Sequence, residues 1–331
     1  MPADNASWTA CEFAPTLPAG DSQRSGRNPE AMSVSDRDLV SVVIPTHNRR
    51  ERLVRAIASV KRQTWPDVEI IVVDDGSNDG TFDCLKAMAV GDCVLRVIRN
   101  EVPRGAAGAR NQGIAAASGR WVAFLDDDDL WLPAKLERQV GLLKANSSAS
   151  AVSCAFFSKA PLRRPRIVRV NPDVTEQEML KRNCLGGASV CLASAQVLKT
   201  IGGFDATLRS RQDWDLWLRL FRAGPILACE EPLAVYNAHL GHRIVNDLSS
   251  HYVGRRRTYF KYRRLMDDET RKGHLAALLY CRMVLRRPRL PRSLAMLRRI
   301  FGLAGVGGSL MYLKWHASSR LAGRGRRHES S

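Results

Sequence analysis

The chain has 331 residues, 45% hydrophobic and 25% charged, with a formal net charge of +18 from 51 Lys and Arg against 33 Asp and Glu. This is globular composition, which excludes wholesale disorder and collagen-like repeats, and enough chain for one large α/β domain plus a module or for two ordinary domains. The charge is lopsided: Ser250 to Ser331 holds twenty basic and four acidic residues, a net +16, so the first 249 residues carry only +2.

Eight cysteines (Cys11, Cys84, Cys93, Cys154, Cys184, Cys191, Cys229 and Cys281) form no CxxC pair and no zinc-finger spacing, so buried, reduced thiols in a cytoplasmic protein are the expectation. The opening MPADNASWTACEFAPTLPAG has neither the basic nor the apolar region of a secretory signal. No window reaches the ~18–20 apolar residues of a spanning helix. The nearest, Ile300–Leu313, is too short and contains four glycines.

Residues 1–38 are rich in Pro, Ser, Gly, Asn and Asp and read as a disordered leader, with Met32 an alternative start. From Leu39 the pattern alternates. Leu39–Ile44 (LVSVVI) predicts a strand, ended by Pro45, and Leu53, Ile57 and Val60 mark a helix over 50–63. Val68–Val73 is a second strand, 79–89 a helix, Val94–Ile98 a third strand, and the Ala-rich 106–118 a closely packed helix. Trp121–Leu125 is a fourth strand. Pro133 is expected at the first helical position of a helix over 134–145, with Asp129 expected to cap it. Looser signals follow: strands near 151–157 and 188–192, helices over 194–201 and 213–222, and basic helices over 250–315. Continuous apolar strands alternating with helices imply a mostly parallel sheet covered on both faces.

In such a sheet, ligands bind at the carboxyl ends of the strands. Those ends carry Pro45-Thr46-His47-Asn48, Asp74-Asp75-Gly76-Ser77 and Asp126-Asp127-Asp128-Asp129. Four successive aspartates repel one another unless a cation compensates, and an all-oxygen set suits Mg²⁺ or Mn²⁺; a solvated acidic loop is the plainer reading. Asp74-Asp75 is either a strand-ending turn or a pair of acceptors for a base or ribose. Gly105-Ala106-Ala107-Gly108-Ala109-Arg110-Asn111 is neither a P-loop nor a dinucleotide fingerprint, and PTHNRR after the first strand has no glycine, which disfavours a dehydrogenase. Arg110 is suited to phosphate or base, or to simple exposure on a packing helix. Gly202-Gly203-Phe204-Asp205 makes a tight turn before Gln212-Asp213-Trp214-Asp215, where an acid is either a helix cap or a general base.

Taken in order, VVIPTHNR, Gln63-Thr64-Trp65, EIIVVDDGSNDGT, GAAGARNQGI, WVAFLDDDDLWLP, GGFD and QDWDLWLRL resemble the family 2 glycosyltransferases of the GT-A fold over roughly residues 39–240. The resemblance implies an α/β catalytic domain over 39–245, with a mostly parallel sheet flanked by helices, followed by a basic helical extension over 246–331. It implies inverting transfer from a nucleotide-diphospho-sugar, most often UDP-linked, to a hydroxyl acceptor, with Mn²⁺ or Mg²⁺ as cofactor. Pro45, Thr46, Asn48 and Asp75 would hold the nucleoside, with Arg110 and Asn111 beside base and ribose. Asp126, Asp127 and Asp128 form the DXD-like element, with Asp128 as metal ligand. Asp213 would be the catalytic base, with Gln212 standing where Glu is common. His239, in Tyr236-x-x-His239, matches a late histidine that touches metal or diphosphate.

The basic tail lies outside the resemblance. Its Arg pairs among Leu, Met, Val and Phe suit an anionic membrane surface, with Ile300–Leu313 as a shallow interfacial helix and a lipid-linked glycan as acceptor. That places the protein on the inner face of the cell membrane. A solvated helical pair packed on the catalytic domain is the plainer reading. Nucleic acid is not an expected partner, because no recognised module is present and aromatic content is 7%. Two further functions compete: a nucleotidyltransferase, which should show a Gly-rich phosphate loop after the first strand, and a non-catalytic nucleotide-sugar-binding protein, which should tolerate loss of Asp213.

Overall fold

The computed structural model describes residues 38–90, 92, 94–159, 164–237, 248–286, 298–300 and 302–303. Within them a nine-stranded sheet forms the centre. Its strands are β1 (Val40–Thr46), β2 (Val68–Asp74), β3 (Leu95–Arg99), β4 (Trp121–Phe124), β5 (Leu130–Trp131), β6 (Ala151–Lys159), β7 (Arg166–Val168), β8 (Leu192–Ser194) and β9 (Ile226–Asn237). The order is β3-β2-β1-β4-β8-β6-β9-β5, with β7 on β6. The first four strands are mutually parallel, β8 runs against β4 and β6, and β9 runs parallel to β6.

The β-branched runs explain the parallel half. Every residue of β1 is buried, as a strand covered on both faces requires. Covering it are α1 (Arg50–Lys61), α2 (Thr81–Ala89), α3 (Gly105–Ala116) and α4 (Lys135–Ala145). α3 lies very close to the sheet: a Cβ at Gly113 would sit 2.2 Å from Val43 Cγ1. Register then brings the acidic strand ends together. Thr46 pairs with Asp74 across β1 and β2, and Val43 pairs with Phe124 across β1 and β4. Asp75 and Asp126 therefore emerge on the same edge of the sheet.

Several expectations are corrected. The strand expected at 188–192 is a 3-10 turn at Ala188–Val190 followed by β8. Pro133 lies in a turn ahead of α4 rather than in its first position. Asp129 does not cap that helix, whose N-cap is Ala134 with no side-chain bond; its carboxylate instead accepts from Ser189 Oγ at 2.6 Å and Asn237 N at 3.0 Å. The twelve-residue β9 carried no readable strand pattern. Its centre is CEEP, and Pro232 cannot donate to a ladder, so the register against β6 shifts between Cys154 and Phe156. The helix α5 (Glu176–Lys181) was also unforeseen, although Thr175 and Glu178 form a complete capping box at its start.

Beyond α6 (Ala195–Thr200) and α7 (Gln212–Ala223) come α8 (Leu248–Tyr262) and α9 (Asp268–Arg286). The described part of the basic tail is built into the core. Tyr259, Tyr262 and Met266 belong to the same buried cluster as Trp214 and Trp217 of α7. A fully buried carboxylate, Asp215, joins the helices: it accepts from Tyr262 OH at 2.7 Å and Arg219 Nε at 2.8 Å, and pairs with Lys261 Nζ at 2.6 Å. Most of Ile300–Leu313 lies outside the described residues, but Ile300 is buried beside Ala276, Tyr280 and Cys281. The six described cysteines are free, and burial pushes the Cys191 thiol up to about 12 and Cys154 to about 11, so these two are inert at neutral pH.

On α9, His274 is buried, stacked on Trp214 with ring centroids 5.6 Å apart. Its Nε2 donates to Leu180 O at 2.9 Å, and burial lowers its pKa from 6.5 to about 4. Between those values the unfolded chain binds a proton here and the folded chain does not. Stability should therefore fall as pH drops from about 6.5 towards 4, by up to about 3 kcal/mol. Denaturant titrations at about pH 7 and pH 4.5 check this. His274→Gln should show a smaller acid loss than the parent.

Candidate active site

Where β1, β2 and β4 end, a cleft of about 1000 Å³ opens. Pro45, Thr46, Asn48, Asp75, Arg110, Asp126, Asp127 and Asp128 all line it, as does Tyr236 from β9. Its floor is ordered by side-chain-to-backbone bonds. Asp75 accepts from the backbone N–H groups of Arg104 and Gly105, each at 2.7 Å, and from Asn100 Nδ2 at 2.8 Å. This acid thus holds the start of α3, where negative charge is favoured by the helix dipole. Gly76, with φ +78°, lets the chain turn back after it. Asn48 also has positive φ, +53°; its N–H donates to Ser77 Oγ at 2.9 Å and its Oδ1 accepts from Asn78 N at 2.8 Å, which ties the β1 and β2 loops together.

The four aspartates after β4 divide into two sets. Asp127 turns towards β1, accepting from Thr46 Oγ1 and Arg49 Nη1, both at 2.8 Å; burial raises its pKa and Arg49 opposes that rise. Asp126, Asp128 and Asp129 gather instead, each with a carboxylate oxygen within 4.8 Å of the others. Burial, then the charges of Asp126 and Asp128, push Asp129 well above the usual carboxylate range. Asp128 Oδ2 also meets Arg49 Nη1 at 3.2 Å. An all-oxygen set in which crowding raises a carboxylate pKa is one that a hard divalent cation would relieve, so these residues fit Mn²⁺ or Mg²⁺.

Arg110 spans from this cluster to the opposite wall. Although it lies on a small-residue helix, it is buried. Its Nη2 donates to Asp126 Oδ1 at 2.5 Å, its Nη1 to Gln212 Oε1 at 3.2 Å, and its guanidinium lies 5.2 Å from the Phe204 ring. Gln212 is the residue before Asp213. Asp213 is half-buried in the first turn of α7, and its Oδ2 accepts from Asn183 Nδ2 at 3.0 Å. Burial raises its pKa, opposed by Arg110 and reinforced by Asp126. It does not cap α7, whose N-cap is Arg211, in left-handed backbone with φ +65°.

Asn111, like Asp213, is not among the residues that line the cleft. Its side chain is spent on the Phe204 backbone, donating to the carbonyl at 2.8 Å and accepting from the N–H at 2.7 Å. It therefore fixes the GGFD turn, where Gly203 (φ +63°) leaves no room for a Cβ beside Asn111 Oδ1. His239 lies outside the described residues. Three residues escaped sequence reasoning: Arg49, Asn183 and Asp129. Arg49 stood in PTHNRR beside another arginine with nothing to tell them apart. Asn183 sits in an unpatterned loop. Asp129 was read as a local cap because its real partners, Ser189 and Asn237, are 60 and 108 residues away.

The chain is similar to known proteins of one family. The family model described as Glycosyl transferase family 2 matches residues 41–199. An Escherichia coli protein, the UDP-Glc:alpha-D-GlcNAc-diphosphoundecaprenol beta-1,3-glucosyltransferase WfgD, is 32% identical over 192 residues, 57% of this chain and 72% of that one. TuaG of Bacillus subtilis, a glycosyltransferase named for teichuronic acid biosynthesis, is 33% identical over 232 residues, 69% of this chain and 88% of its own. Among solved structures, S. aureus TarS 1–349 in complex with UDP-GlcNAc superposes with a TM-score of 0.61 at 18% identity, covering 80% of this chain and 81% of that one.

Proposed function

The chain belongs to glycosyl transferase family 2, with the GT-A fold, and from that premise we propose an inverting, divalent-metal-dependent transfer of a sugar from a UDP-linked donor to a hydroxyl of a lipid-linked glycan. As a glycosyltransferase it acts on a nucleotide sugar; the inversion, the metal, the UDP and the lipid-linked acceptor are our reading. One observation carries it: an aspartate cluster suited to a cation reaches the cleft through Asp126 and Asp128, and Arg110 bridges from Asp126 to Gln212, the chain neighbour of the half-buried Asp213. The relatives' printed donors and acceptor, UDP-Glc and a diphosphoundecaprenol-linked GlcNAc, support the choice of substrate class.

In this reading the acceptor oxygen forms a bond to the anomeric carbon from the face opposite the departing group. The anomeric carbon–oxygen bond breaks, and its electron pair leaves with the nucleoside diphosphate. The acceptor proton passes to Asp213. Asn183 holds the Asp213 carboxylate in place, and its raised pKa suits it to taking a proton. Asp128, with Asp126 and Asp129, would hold the metal; once bound, it supplies neutralising charge for the departing diphosphate. Thr46 and Arg49 fix Asp127 and so the bend of the chain after β4. Pro45, Asn48 and Asp75 form the wall for the nucleoside. The workplace proposed is the cytoplasmic face of the membrane, with the protein held peripherally: among the described residues no helix is long and apolar enough to cross a bilayer.

A donor screen tests the reading. Metal-dependent release of UDP from UDP-sugars is expected, with hydrolysis standing in for transfer. Release of GDP or dTDP alone would refute the UDP assignment.

A further inference from the structure

α8 is clamped on one side and open on the other. Its inner face is fixed by Gly254, where an added Cβ would stand 2.1 Å from Ser210 Oγ, and by buried Thr258, Tyr259 and Tyr262. Its outer face presents Arg256, Arg257, Phe260 and Lys261, and the turn that follows adds Arg263 and Arg264, all exposed. Five cations share this face with one aromatic ring, Phe260, which is 50% exposed. Arg256 and Arg263 stack against it, with guanidinium carbons 5.7 and 5.0 Å from its centroid.

The acids that follow do not neutralise this face. Asp268 pairs with Arg271, Glu269 with Lys181, and Asp267 accepts from the Thr270 N–H at the start of α9. Lys261 is partly committed, to Asp205 at 2.9 Å and to Asp215. Arg257 donates to the Thr207 carbonyl. These two bonds fasten the face to the loop of Phe204 and Asp205, which leads directly into α7 and Asp213.

We propose that this outer face of α8 is a docking surface for an anionic lipid bilayer, with Phe260 inserting at the headgroup level and the arginines pairing with lipid phosphates. The partner follows from charge and shape. A row of cations attracts an anionic surface, while a single exposed ring gives a shallow apolar foot but no run of aromatics on which successive bases could stack. The sequence suggested the basic tail as a whole, with Ile300–Leu313 as the inserting helix; here the inserting group is Phe260, and Ile300 itself is buried. The proposal rests on the lipid-linked acceptor reading for its purpose, though not for its observations. A bilayer held here would lie one loop away from the proposed base.

Sedimentation of the full chain with vesicles tests it. Vesicles of about 30% phosphatidylglycerol in phosphatidylcholine should carry the protein down, whereas pure phosphatidylcholine should not. Binding should fade at high salt as the screening length shortens to ~3 Å near 1 M. Each basic residue is worth about fivefold in partition at a charged surface. Arg256→Glu with Arg263→Glu should therefore weaken binding at least about tenfold, and Phe260→Ser should weaken it with the charge unchanged. UDP release into solution should stay at the parental level in both, which also shows that they fold. Parental sedimentation of both variants overturns the proposal, as does failure of the wild type to sediment while it still turns over donor. Sedimentation without donor turnover would instead count against the enzymatic reading and leave the docking face standing.

Discussion

Asp213→Asn should lower sugar transfer by about 10²–10⁴-fold while donor affinity stays close to wild type. The substitution keeps the size of the side chain and its ability to bond Asn183, so α7 keeps its start. What it removes is the ability to accept a proton. A second consequence concerns pH. Because burial raises the Asp213 pKa above its ordinary value of 3.8, the acid limb of kcat/KM should lie above that value. Activity should fall as pH drops through the limb, because the base becomes protonated. The residual activity of Asp213→Asn should lack the limb. Isothermal titration with UDP and a pH–rate profile are the two measurements. Parallel loss of donor affinity and turnover would make Asp213 structural.

Asp128→Asn, or treatment of the wild type with EDTA, should reduce transfer by about 10²-fold or more. Neutralising charge on a departing diphosphate is worth several kcal/mol, and each ~1.36 kcal/mol is tenfold in rate. The Asn variant is preferable to Ala because Asp128 is buried and engages Arg49, so a smaller side chain would disturb the loop as well as the chemistry. Mn²⁺ binding measured directly, by electron paramagnetic resonance of the free ion, should weaken in Asp128→Asn and persist in Asp213→Asn. Full activity in chelator would end the metal assignment whatever the variant does.

Much of this was legible before any coordinates. β1, β2, β3 and β4 and the helices between them fall within a residue or two of their expected places, since each is a local pattern: a β-branched run, an apolar stripe, a terminating turn. The polar residues that end β1 and the acids that end β2 and β4 were also visible, because strand ends in a parallel sheet are places where polar residues need a reason. Less legible was the half beyond Ser150. There β9 is broken by Pro232, β8 has three residues, and their membership of the sheet is decided by partners far away in sequence.

The sequence by itself determined the parallel half of the sheet, the family, and which carboxylates gather at the strand ends, because those features depend on neighbours a few residues apart. Only the tertiary structure decided how the gathered groups divide their work. Asp127 turns to Arg49 while Asp129 joins Asp126 and Asp128, Asn111 is spent on Phe204, and the basic helix α8 is bolted by Asp215 to the back of the helix that carries Asp213. The physical reason is that a charged side chain's direction is set by where its countercharge and hydrogen-bond donors lie in space, and in this fold those partners come from elements as far as 108 residues away.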